Sequence, residues 1–180
     1  VLDLPPRPHP RIEQWRDGGE KVLVIGQLPG DAALRGENPD TWMHKQAVLA
    51  AEAFGKPTHK RPHPKMLNPW EPAAVPIQEA LDDTYVCVTY TSTVAVQAIV
   101  AGVSTVATHR GSPAYSMCSH TLAKIRLPGR ESWVHDLSYR EYNLLDAAEL
   151  DAAAFYIERA YPAAAVQAKR GMLEIPRVRP

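Results

Sequence analysis

The 180-residue chain has no net charge: 20 Lys and Arg stand against 20 Asp and Glu. That balance excludes a general electrostatic grip on nucleic acid and leaves a local basic patch as the remaining route to one. Cysteine is nearly absent. Cys87 and Cys118 lack CxxC spacing, and Cys87 sits inside an apolar run as a buried small hydrophobe would. The pattern is that of a reduced, cytoplasmic protein. No window reaches the roughly 18 apolar residues that span a bilayer, and no signal-peptide pattern is visible, so no membrane span is expected. His9, His44, His59, His109, His120 and His135 show no HxxxH or HxH spacing among themselves, and no metal site is expected from them. There is no P-loop and no GxGxxG. Ser112 lies in RGSPAY, which is not the GxSxG of a hydrolase elbow. The first residue is Val1, not Met, so a trimmed N-terminus with a missing leader or domain is one expectation.

Proline is abundant: 17 residues, clustered at both ends and in the middle as PPRPHP, KRPHPK and NPWEP. Such clusters mark irregular segments that run over a surface. Between them the chain alternates. KVLVIG at 21–26 is a short β-branched run that predicts a buried parallel strand, followed at once by the loop QLPGD. Asp40 is a candidate cap for a helix over 41–54 closed by Gly55. A strand entering the polar loop KRPHPK, a short helix over 73–81 and a strand over 84–89 come next. A helix over 92–101 and a strand over 103–108 follow, then helices near 116–125, 139–155 and 160–168. This order predicts an α/β fold with a Rossmann-like parallel sheet and helices on both faces. Residues 1–19 read as an extended arm, 20–170 as the domain, and 171–180 as an extended tail. By length this is one ordinary domain with a core that needs no disulfide.

Ligands of such sheets bind at the carboxyl ends of the strands. That rule selects four loops: QLPGD, KRPHPK, TST and HRGSPAY. Ser92 and Thr93 fall where a helix begins. They are either an ordinary cap or hydroxyl donors beside the free backbone N–H groups that favour phosphate. His63 stands between two prolines, with Lys60, Arg61 and Lys65 around it. A stiffened His among cations suits a phosphate or a leaving nucleotide; a solvated basic loop is the plainer reading. Asp31 is the best-placed carboxylate for a general base, or else a turn-stabilising Asp after Gly30. His109 is a candidate for lining the same cleft.

An HP motif at one strand end, followed by a Ser-Thr pair at the start of a later helix, resembles the CMP-sugar site of bacterial sialyltransferases and capsular Kdo transferases. VLVIGQLPGD, YTSTVAVQAIVAGVSTVA, THRGSPAY and WVHDLSYREYNLLDAAEL are similar, in that order over residues 21–157, to segments of the capsular polysaccharide synthesis and export family. The resemblance implies one half of a GT-B glycosyltransferase that holds no tightly bound cofactor or metal and takes a nucleotide sugar, a CMP-sugar in that family, as substrate. Carried over by position, His63 would meet the donor phosphate, with Ser92 and Thr93 on the same group. Gln27, Gly30 and Asp31 would line the cleft. Lys65, Gln97, His109 and Tyr115 complete the set of candidate binding residues.

Two positions depart from that pattern: Gln97 stands where a ribose-binding Glu is usual, and Ser104 where a Pro is usual. A GT-B enzyme also has two Rossmann-like domains, and this length supplies about one. The acceptor would be a glycan or a modified DNA base. A missing acceptor domain or a homo-oligomer would complete the enzyme. The alternative is a binding or structural protein that keeps the fold without the chemistry, and a nucleotide-dependent hydrolase or epimerase is a third reading of the same cleft.

Overall fold

The structure is a computed structural model that describes residues 11–67 and 75–137. Four parallel strands lie in the order β2-β1-β3-β4: β1 Lys21–Ile25, β2 Thr58–Arg61, β3 Thr84–Thr89 and β4 Ser104–Ala107. Among the described residues there are four α-helices: α1 Pro39–Phe54, α2 Ile77–Leu81, α3 Val94–Val100 and α4 Glu131–Leu137. The chain divides into a compact unit, Pro10–Glu131, and a second made of Val1–His9 and Ser132–Pro180. Of the second unit only residues 132–137, in α4, are described. The sheet and its site belong entirely to the first.

The two strand faces follow from alternation. Val22 and Val24 of β1, with Val86 and Val88 of β3, pack with Trp42, Met43, Ala47 and Ala50 of α1. Leu23, Ile25 and Cys87 face the other way, against Leu81 of α2 and Ala98 of α3. Both faces are covered, so these strands read as continuous apolar runs. The fold is therefore a doubly wound α/β fold with helices on both faces, as the alternation of elements predicts. Its winding places β3, not β4, beside β1. The chain leaves β1 towards β2 on one side and returns to β3 on the other, so the switch point lies between the ends of β1 and β3.

Some local expectations are corrected. The cap of α1 is Asn38, whose side-chain oxygen accepts from the backbone N–H of Asp40 and Thr41 at 2.9 and 3.0 Å. Asp40 instead sits in the first turn, after Pro39, where its charge favours the helix N-terminus. Gly55 closes α1 in the left-handed conformation, as its position suggests. α2 and α3 are shorter than the apolar pattern, at Ile77–Leu81 and Val94–Val100.

No α-helix forms over 116–125. A single 3-10 turn, Tyr115–Met117, leads into a segment that bridges to β4. There Ser119 N–H donates to Thr105 O and Ala107 N–H to Ser119 O, both at 2.9 Å. Those backbone groups serve the sheet, and they cannot also close helical turns. The expected helices near 139–155 and 160–168 lie outside the described residues.

Residues 11–19 run along the C-terminal end of α3. Glu13 N–H donates to Val100 O at 2.9 Å and Arg16 N–H to Gly102 O at 2.8 Å. Gly102 has φ +76, and a Cβ there would stand 2.0 Å from Gln14 O. Only glycine permits both that turn and that approach. The buried Arg130 donates to Ile99 O at 2.7 Å and lies 3.9 Å over the Trp15 ring, while the Trp15 indole donates to Pro128 O at 3.2 Å. Burial pulls the Arg130 guanidinium below its ordinary pKa, against the opposing charges of Glu131 and Glu13.

Candidate functional site

Gly26 follows β1, and its N–H donates to Arg61 O at 2.8 Å, so the ends of β1 and β2 are held level. Beyond β2 the chain cannot continue the sheet, because Pro62 and Pro64 have no N–H to give. His63 between them caps a 3-10 turn, Pro64–Met66, and its Nδ1 accepts from Lys65 N–H at 3.2 Å. With Nδ1 accepting, Nε2 is the ring nitrogen left to donate. His59 and His63 stand four residues apart, a metal-binding spacing on a helix. Here they lie on a strand and a loop. Among the described residues, no group of three His, Cys, Asp or Glu is placed to hold a metal ion.

At the start of α3 the two adjacent hydroxyls divide their work. Ser92 Oγ accepts from Val94 N–H at 3.2 Å, the turn-capping role that small hydroxyl residues favour. Thr93 is helical in conformation, makes no side-chain cap bond and is exposed. A cavity of about 300 Å³ opens between these two strand ends. Its walls bring together Gly26 after β1, Arg61 and His63 of the β2 loop, Ser92 and Thr93, and Gln97 of α3. Of the candidate residues, His63, Ser92, Thr93 and Gln97 therefore share one cavity. Arg61 joins them as the cation at its wall, signalled in sequence by its place at the end of β2.

The other candidates are placed elsewhere. Gln27 is buried and donates from Nε2 to Thr91 Oγ1 across the switch point. Gly30 turns with φ +79, and Asp31 accepts at Oδ1 from Ala33 N–H at 3.0 Å, capping the 3-10 turn Ala32–Leu34. Asp31 therefore stabilises this turn through Oδ1, with its carboxylate exposed. Lys65 meets His63 through its backbone and is exposed. His109 stacks on Tyr90 with ring centroids 4.7 Å apart, and its Nδ1 accepts from Gly111 N–H at 3.1 Å. Tyr115 stacks on His120 at 3.8 Å, and His120 Nε2 donates to Tyr115 O at 2.9 Å. None of these six lines the cavity beside His63.

Tyr90 also meets the edge of Trp42, with centroids 5.5 Å apart, so Trp42 is a core residue. Burial raises the Tyr90 phenol above its ordinary pKa, and the charge and hydrogen bond of Glu37 raise it further, against Arg35. Thr91, at the start of the TST loop, is the partner of Gln27 that sequence reasoning missed; it does not line the cavity. Nothing in its local pattern separates it from the hydroxyls that follow.

No family model, curated protein or solved structure matches this chain.

No helix among the described residues is long and apolar enough to cross a membrane.

Proposed function

We propose that the cavity at the ends of β1, β2 and β3 binds the phosphate of a nucleotide-activated sugar, and that the protein is a glycosyltransferase. One observation carries this reading: residues some thirty positions apart, Arg61 and His63 on one side and Ser92 and Thr93 on the other, line a single cavity at the strand ends. The guanidinium offers a planar fork of donors to phosphate oxygens. The Nε2–H of His63 and the hydroxyl of Thr93 add neutral donors.

In the reaction, an acceptor hydroxyl or amine attacks the anomeric carbon as the bond from that carbon to the phosphate oxygen breaks. The electron pair stays on the leaving phosphate, where Arg61 and His63 stabilise it. The acceptor's proton passes to a carboxylate, for which Asp31 is the candidate in the loop after β1. The acceptor is a glycan or a modified DNA base.

The second reading is a nucleotide-binding or structural protein without transfer. It is favoured by the Asp31 geometry, since Oδ1 already accepts from Ala33 N–H. Binding is tested first. The melting temperature is measured with CMP, UMP, UDP, dTDP and GDP, for the native chain and for His63→Ala. A rise with one nucleotide that disappears in the variant supports the donor site. No rise with any of them, from a folded protein, removes it. Asp31→Asn then separates the two readings: it abolishes transfer and leaves nucleotide binding intact if Asp31 is the base.

A further inference from the structure

α2 connects β2 to β3, and it packs on β3 and α3. On that face, among the described residues, His59 of β2 is exposed and Arg61 half-buried. Strand alternation sets His59 on this face beside Leu23, with Arg61 level with Ile25. A second cavity, of about 370 Å³, opens along it, with Lys21, Leu23, His59, Arg61 and Glu79 among its walls. Arg61 and Pro62 belong to both cavities, so the two share a wall. Two permanent cations, Lys21 and Arg61, stand against one carboxylate there, with His59 added; Lys60, paired with Val24, alternates to the α1 face.

Two cations are one more than a single phosphodiester requires. A sugar joined to a nucleoside monophosphate presents one negative charge, and a sugar joined to a nucleoside diphosphate presents two. The guanidinium of Arg61 carries enough donors to hold oxygens of two adjacent phosphates at once. We infer that the second cavity receives the second phosphate of a nucleoside diphosphate, so that the donor is a nucleoside diphosphate sugar and not the CMP-sugar implied by the resemblance. This inference rests on the donor-site reading of the first cavity. One phosphate lies between Arg61, His63 and Thr93, and the next between Arg61, His59 and Lys21. Glu79, on the same wall, is a hydrogen-bond acceptor for sugar hydroxyls.

The test is isothermal titration of the full chain with matched pairs, CMP against CDP and UMP against UDP. At least one diphosphate is expected to bind about ten-fold more tightly than the monophosphate of the same base, the size of one charge-assisted contact. In a Lys21→Ala, His59→Gln double variant that preference disappears while monophosphate affinity holds. Both substitutions are on side chains outside the apolar core, and a Lys21→Gln single variant, expected to lose part of the preference, repeats the test with less disturbance of β1. Lys45→Ala on α1 removes a cation elsewhere and keeps the preference. Equal affinities within each pair, or a preference that survives the double variant or is lost equally in Lys45→Ala, overturn the inference and leave the donor site standing. Failure of every nucleotide to bind overturns both.

Discussion

The side-chain amide of Gln27 donates to the hydroxyl of Thr91, joining the loop after β1 to the loop after β3 across the switch point of the sheet. The two loops leave neighbouring strands in a region where backbone pairing has stopped. A side-chain bond ties them there.

Gln27→Ala removes that tie and leaves Thr91 without the amide. A loss of about 1 kcal/mol in stability is expected for a net hydrogen bond of this kind. Urea unfolding of the variant beside the native chain measures it. An unchanged midpoint would mean that the loops are held by other contacts.

Thr89, at the end of β3, is fully buried, and its hydroxyl has no hydrogen-bond partner among the described residues. Valine has nearly the same shape and no polar atom. Thr89→Val is expected to stabilise the fold by about 1 kcal/mol, the order of an uncompensated buried hydroxyl. Its backbone carbonyl still accepts from Thr108 N–H at 3.0 Å, so the pairing with β4 is untouched. A destabilised variant would show that the hydroxyl has a partner in solution.

The start of α1 distinguishes Asn38 from Asp40. Asn38→Ala removes an acceptor from two backbone donors and should cost about 1 kcal/mol. Asp40→Ala removes only a charge from the first turn and should cost less, in the range of about 0.3–1 kcal/mol at low salt. Thermal or urea melting of the pair, at low and high salt, reads both effects. Salt should weaken the contribution of Asp40 and spare that of Asn38.

Alkali tests the Tyr90 phenol. Its pKa is raised from 10.0 by burial and by Glu37. Below pH 10 both the folded and the unfolded chains keep this proton. As pH rises beyond 10 the unfolded chain gives it up first, so its contribution to stability is lost through the folded pKa. Stability measured across that range should fall less steeply in Tyr90→Phe. Equal slopes would mean that Tyr90 titrates as it does in the unfolded chain.

Much of the sheet was legible because burial on both faces writes itself as runs of β-branched residues. KVLVI and TYVCVT could be read as strands without knowing their neighbours, and β3 falls where the run does. Gly55 was equally legible, since a glycine after an apolar helix has few other uses. The cap was not. GENPD offers Asn38 and Asp40 two residues apart, and only the path of the backbone decides which side chain turns back. The segment 116–125 misled for a different reason: its residues tolerate a helix, but its backbone groups are claimed by β4.

The candidate site divides along the same line. His63 with Ser92, Thr93 and Gln97 came together because all follow from one rule about strand ends. Asp31, His109 and Tyr115 satisfied the same rule and were drawn instead into turns and ring stacks. Such competition between local partners is invisible in a linear pattern.

The Ser119 bridge along β4 has a consequence for how copies of this protein meet. It gives the outer backbone groups of β4 a partner from the same chain. Among the described residues β2 is then the strand left with an open side, and it carries His59, Lys60 and Arg61. Two such edges brought side by side would set like charges against each other. The arrangement guards the sheet against runaway strand pairing between molecules, and two of these residues, His59 and Arg61, also line the neighbouring cavity.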